Sequence, residues 1–208
     1  MCSRYRLTND VGKLRTIFPD SPDDWFDAID RKYESFYPGS SVPVILNVRD
    51  SEYFGHFQWG IVPDWAKNKS MTLINTKSEE ALVKPTWKGS FRKRRCLLPA
   101  TSFFEPAAID GKKYQVEFTM KDGSAFAFAG IWQKTDKFGE PRNCCSLLTC
   151  ESNSIVGEVH GRMPVILHRT QFETYLNTPA EQAEKLMTIL LPFPAEEMDA
   201  EHHKGSRR

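Results

Sequence analysis

Tyr114-Gln115-Val116-Glu117-Phe118 alternates apolar and polar residues, Asp122-Gly123 follows, and the run from Ala125 to Trp132 is then almost wholly apolar. Alternation with a period of two marks a strand with one buried face, and an unbroken apolar run of this length fits a strand buried on both. Asp-Gly between two such runs reads as a hairpin turn. The stretch therefore predicts β structure at the centre of the chain.

Outward from it, further short strands are predicted at Val44–Val48, Tyr53–Trp59, Ser102–Glu105, Cys145–Cys150 and Val165–Leu167. Another at Cys96–Leu98 leads into a turn expected at Pro99. Helical patterns fall at Val11–Ile17, Ser78–Val83, Thr86–Lys93, Ser152–Val156, Thr170–Asn177 and Ala180–Met187, with Pro179 expected to open the last of these. Strands and helices do not alternate regularly, which argues against a doubly wound parallel sheet and for an α+β fold. The chain has 208 residues, so one domain over residues 1–200 is expected, followed by a polar, frayed tail over residues 201–208.

Composition narrows the function. Net charge is +1, so any nucleic-acid binding must come from a local patch. The five cysteines, Cys2, Cys96, Cys144, Cys145 and Cys150, are odd in number and form no Cys-x-x-Cys pair. That argues against a disulfide framework and a structural zinc site, and no cofactor is expected. No apolar leader follows Met1 and no run is long enough to span a bilayer, so a reducing cytosol and no membrane contact are expected.

Several residues could carry chemistry. Cys2 becomes N-terminal if Met1 is removed, and then holds an amine and a thiol on adjacent carbons. Such a pair can attack one carbonyl twice, the amine forming an imine and the thiol closing a thiazolidine. Otherwise Cys2 is an early strand or surface cysteine. Asn75 precedes a helical pattern and reads either as a cap or as an amide that holds a carbonyl, a sugar hydroxyl or an amine. Glu105 follows Phe103-Phe104 and precedes Pro106 at a strand end, as an exposed turn residue or as a desolvated acid/base. His160, in a short loop beside Gly161, is a surface residue or a proton donor. Trp65 sits in a Gly/Pro loop where it could stack on a base. Lys84 to Arg95 holds Lys84, Lys88, Arg92, Lys93, Arg94 and Arg95 and no acid, with Trp87 and Phe91 on one helical face. This is either a solvated amphipathic helix or a phosphate-binding one.

An ordered set of segments resembles the SOS-response-associated peptidase (SRAP) family. It comprises Met1-Cys2-x-Arg4-Tyr5, Tyr37-Pro38, Trp59-Gly60-x-x-Pro63-x-Trp65-Ala66, Ile74-Asn75, Phe91-Arg92-x-Arg94-Arg95-Cys96-Leu97-x-Pro99-Ala100, Phe103-Phe104-Glu105, Phe128–Trp132 and His160-x-Arg162–Leu167. The resemblance implies a compact domain with a β-barrel-like antiparallel core, flanked by short helices, that acts as a monomer. It implies covalent capture of abasic sites in single-stranded DNA through the Cys2 thiazolidine, with Cys2, Asn75, Glu105 and His160 as the catalytic set. Phosphate contacts would fall on Arg4, Lys77 and Arg162 and a wedge on Pro38, with Trp65, Lys84, Lys88 and Arg92 extending the DNA path. Three positions depart from the family pattern: Ser3 in place of glycine, Lys77 in place of arginine, and Pro106 in place of an aromatic. The competing readings are a thiol peptidase or N-terminal-cysteine amidotransferase, and a non-covalent DNA-binding module.

Overall fold

The structure is a computed structural model that describes residues 2–8, 10–19, 35–48, 51–68, 70–109 and 111–204. Met1 and Gly205–Arg208 lie outside the described residues, so Met1 processing and the last part of the expected tail are not addressed by it.

Five strands close into a barrel. They are β3 (Ser41–Val48), β4 (Ser51–Trp59), β6 (Arg95–Ala100), β9 (Phe126–Thr135) and β10 (Arg142–Glu151). Each pairs antiparallel with the next around the ring β4–β3–β6–β9–β10. A short parallel contact then closes the ring, with Cys144 opposite Gln58 and Cys145 opposite Trp59. Such close packing requires small residues at crossings: a Cβ on Gly130 would stand 2.4 Å from Leu98 Cδ1. Three short strands extend the barrel: β5 (Asn75–Lys77) and β11 (Arg162–Pro164) on β10, and β12 (Ile166–Leu167) on β9.

A second sheet lies against it, in the order β13 (Met198–Lys204), β8 (Lys112–Met120), β7 (Ser102–Ile109), β1 (Tyr5–Arg6) and β2 (Ser35–Phe36). Tyr5 and Phe103 on its inner face meet Phe128 of the barrel, with ring centroids 5.6 and 6.1 Å apart, and Tyr5 also meets Trp59 at 5.3 Å. These rings fuse the two layers into one hydrophobic core.

The α+β fold with an antiparallel barrel core is as expected, but several local readings change. The Asp122-Gly123 turn forms, with Gly123 at φ +71 and its N–H donating to the Met120 carbonyl. It makes no hairpin. β8 pairs with β7 and β13 while β9 pairs with β6, β10 and β12, so the turn is a corner between sheets. Pro99 lies inside β6, opposite Ala127, rather than in a turn. The run expected to be helical from Ser78 is a single 3-10 turn, Ser78–Glu80, and Ala180–Thr188 is also 3-10, with Pro179 capping it. Helix α1 (Val11–Ile17) keeps its expected bounds, and α2 (Pro85–Lys93) begins at its proline. Two shorter helices follow, α3 (Ser154–Gly157) and α4 (Phe172–Asn177). Glu201–Lys204, expected to fray, belong to β13 and pair with Tyr114–Glu117 of β8. No helix among the described residues is long and apolar enough to cross a membrane.

Candidate active site and nucleic-acid interface

Four elements converge on Cys2. The chain entering β1 is fixed by the Phe104 N–H, which donates to the Arg4 carbonyl at 3.0 Å. Cys2 is thereby buried, and its thiol donates to that same carbonyl at 3.5 Å. Asn75, expected as a cap, is instead the first residue of β5, paired beside Leu147 of β10. The segment ahead of it is held by the Trp59 indole N–H, which donates to the Ile74 carbonyl at 2.9 Å. From there the Asn75 amide donates to the Cys2 carbonyl at 2.9 Å, and its buried Oδ1 has no hydrogen-bond partner among the described residues.

Glu105 is not an exposed turn residue. β7 continues through Pro106 to Ile109, and Glu105 is completely buried within it. Burial pushes its carboxyl above the ordinary carboxylate range, and the charge of nearby His160 pulls the other way. The same carboxylate acts on Cys2, whose thiol is raised first by burial and then by Glu105. His160 lies in the turn between α3 and β11, its N–H donating to the Val156 carbonyl at 2.9 Å. Its Nδ1 lies 3.0 Å from the Arg162 amide nitrogen and 3.1 Å from the Arg162 carbonyl oxygen. Asn75 and Glu105 are thus brought to Cys2 from separate segments of the chain, and His160 lies within electrostatic reach of Glu105.

The expected DNA-contacting residues divide into two groups. Around Cys2, the Arg4 guanidinium lies 4.0 Å over the Phe104 ring and 5.7 Å from the Tyr37 ring. Pro38 sits exposed in a turn whose Gly39 N–H donates to the Trp59 carbonyl at 2.8 Å. Trp65 is 57% exposed, with its indole N–H on Thr86 Oγ1 at 3.1 Å. Lys88 is also exposed.

The other cations are already engaged. Arg162 holds Glu79 through both terminal nitrogens, at 2.5 and 2.9 Å. Lys84 and Lys77 pair with Glu80 at 2.8 and 4.0 Å. Arg92 binds the Glu184 carboxylate and the Ala180 carbonyl, docking the C-terminal 3-10 segment onto α2. Arg95 is buried and donates only to backbone carbonyls in the bonds described. Arg92 and Arg95 therefore tie the basic run to the rest of the protein, and its exposed part is Lys84, Lys88 and Lys93. The acids Glu79 and Glu80 were missed, although Glu80 stands four residues before Lys84, a spacing that pairs charges on neighbouring turns. All five cysteines are buried and free, and no cluster of metal-ligating side chains occurs among the described residues.

The chain matches the family described as SOS response associated peptidase (SRAP) over residues 1–204. It is 31% identical over 207 residues to "Abasic site processing protein YoaM" of Bacillus subtilis, covering 96% of this chain and 89% of that one. It is equally similar, at 31% over 207 residues, to "Abasic site processing protein YoqW" of the same organism, covering 96% and 91%. A solved structure from Bordetella bronchiseptica shares the fold, with a TM-score of 0.79 at 24% identity over 98% of this chain and 100% of that one. Ordered motifs, fold and whole-length similarity agree, and the chain belongs to the SRAP family.

Proposed function

We propose that this chain processes abasic sites in single-stranded DNA, capturing them covalently through Cys2 once Met1 is removed. The reading rests on the convergence at residue 2: an amide on its carbonyl, a buried carboxyl beside its thiol, and a histidine within electrostatic reach of that carboxyl. The similarity to proteins named for abasic-site processing supports it.

In this scheme the Cys2 amine adds to the aldehyde of the ring-opened sugar, and loss of water gives an imine. The thiol then adds across the C=N bond. Sulfur bonds to carbon, the thiol proton leaves through Glu105, and nitrogen takes up a proton. Asn75, already hydrogen-bonded to the Cys2 carbonyl, holds residue 2 in place, and its open Oδ1 is free to accept from the new amine or a sugar hydroxyl. As an imidazolium, His160 supplies a proton to the sugar ring oxygen and returns to the neutral ring, favouring the open aldehyde. An abasic sugar must leave the base stack to reach a buried residue, which favours single strands.

The test is a denaturing gel of the Met1-processed protein with an oligonucleotide carrying one abasic site, beside Cys2→Ala and Glu105→Gln. The expected result is a heat-stable shifted band that Cys2→Ala abolishes and Glu105→Gln slows. A stable band from Cys2→Ala would refute the mechanism. No band from processed wild type, with salt-sensitive binding retained, would leave a non-covalent DNA-binding protein.

A further inference from the structure

The Glu79–Glu80 turn faces three of the cations expected to meet DNA, and the sharpest contact is with Arg162. A guanidinium grips a phosphate best with two parallel N–H bonds, and here that fork is filled by a carboxylate of the same charge and similar spacing. The hydrogen bond from Arg162 holds the Glu79 carboxyl below its ordinary range, so it is charged at neutral pH. Arg162 also donates from Nη2 to the Thr149 carbonyl at 2.7 Å and to Thr149 Oγ1 at 3.3 Å. Its side chain is 16% exposed, whereas that of Glu79 is 53% exposed. The arginine is thus anchored to β10, and the glutamate, held otherwise by the Ser78 hydroxyl, which donates to its Oε2 at 3.3 Å, is the more exposed partner and the one that can move into solvent.

We infer that Glu79 is a built-in phosphate mimic: it occupies the Arg162 fork in the free protein, and a DNA backbone phosphate must displace it to bind there. Glu79 is then a specificity-determining residue. By weakening non-covalent binding to every strand, it leaves covalent capture to separate abasic from intact DNA. The inference deepens the proposed reading of the same cleft: displacement of Glu79 rests on DNA binding there, and its effect on selectivity rests also on the covalent step.

The experiment measures binding of intact and abasic single-stranded oligonucleotides of one sequence across a salt series. It uses wild type, Glu79→Gln, Arg162→Ala and the double variant, with folding of each checked by thermal unfolding. Glu79→Gln is expected to tighten binding to the intact strand about five-fold at low salt, the effect of an exposed ion pair of roughly 1 kcal/mol. It should steepen the log–log salt slope by roughly 0.7, as one further phosphate of a single strand is neutralised. Arg162→Ala should cancel both gains, and preference for the abasic strand should fall in Glu79→Gln. Unchanged or weaker binding by Glu79→Gln would overturn the inference, because Glu79 would then be orienting Arg162 toward phosphate. A gain that persists in the double variant would also overturn it, as general charge repulsion. Failure of wild type to crosslink alongside tighter binding by Glu79→Gln would sink the covalent reading and leave this one standing.

Discussion

Arg95 separates a structural cation from a DNA-binding one within the same basic run. Its Nε donates to the Tyr175 carbonyl at 2.5 Å, and Nη1 donates to the Phe91 and Arg92 carbonyls at 2.8 and 2.6 Å. Nη2 reaches the Leu176 carbonyl at 3.2 Å and the Thr178 carbonyl as well. These acceptors lie at the C-terminal ends of α2 and α4, where carbonyls lack intrahelical partners and the helix dipoles are negative. One guanidinium therefore caps two helices and joins them to the barrel. Arg95→Met keeps the aliphatic stem and removes the donors. Each charge-assisted bond contributes about 1.5–3 kcal/mol, offset by the cost of burying the cation. Several of the freed carbonyls can take up water, so the net loss is expected at about 3–5 kcal/mol, and the melting temperature should fall by roughly 10 °C. Urea unfolding followed by tryptophan fluorescence would measure it, read as a shift in midpoint at constant slope. At a temperature where the variant remains folded, the salt slope of DNA binding should match wild type. A loss below about 1 kcal/mol, or a slope shallower by roughly 0.7, would refute the assignment and return Arg95 to the phosphate-binding surface.

Other perturbations test the site more directly. Glu105→Gln should slow crosslinking yet stabilise the fold near neutral pH. The buried carboxyl has a raised folded-state pKa, so wild type and variant should be alike below about 4.3, where both folded and unfolded states hold the proton. As pH rises from there to the folded-state value, the unfolded chain ionises first and wild type alone loses stability; urea midpoints over a pH series would reveal a flat difference if the argument is wrong. Gly60→Ala should cost about 2 kcal/mol or more, because Gly60 has φ +129 and the new Cβ would lie 2.3 Å from Thr72 Cγ2. It should also reduce crosslinking by displacing the strand entry at Ile74 and Asn75, and full activity in a destabilised variant would show that this path does not position Asn75.

Local pattern picked out candidate residues more readily than it picked out the elements that hold them. Cys2, Asn75, Glu105 and His160 stood out as candidates because each sits in a short motif, but the burial of Cys2 and Glu105 did not. Glu105 looked like a strand end because Pro106 follows it. The strand survives since β1 meets β7 at Ser102 and Phe103, so the side where proline lacks its N–H has no β1 partner at that point. Asp122-Gly123 specifies a tight turn equally well whether the next strand returns to the same sheet or crosses to another, and only tertiary packing distinguishes these. The polar run Glu201–Lys204 has the composition of a loose tail, yet edge strands are also polar, and its backbone pairs regardless. The acids that neutralise Arg162 and Arg92 lie 83 and 92 residues away in the chain, beyond any local signal.

The electrostatics of Cys2 bear on which chemistry this site favours. A thiol peptidase needs a thiolate, and such enzymes obtain one by placing cations or a helix N-terminus at the sulfur. Here burial and the Glu105 carboxylate both push the Cys2 thiol up, which is the opposite provision. A preformed thiolate would put two negative charges side by side in the core. Transfer of the thiol proton to Glu105 avoids this, because one buried anion replaces another and the net charge of the site is unchanged. Such a transfer suits a thiol that reacts second, at the moment an adjacent iminium carbon is ready to accept it, and not one that must initiate attack on an amide. The amine, which gains its reactivity from Met1 removal and not from the thiol's surroundings, is the group fitted to begin the reaction. Burial of Cys2 beside a carboxylate is therefore the arrangement that the proposed capture of an aldehyde calls for.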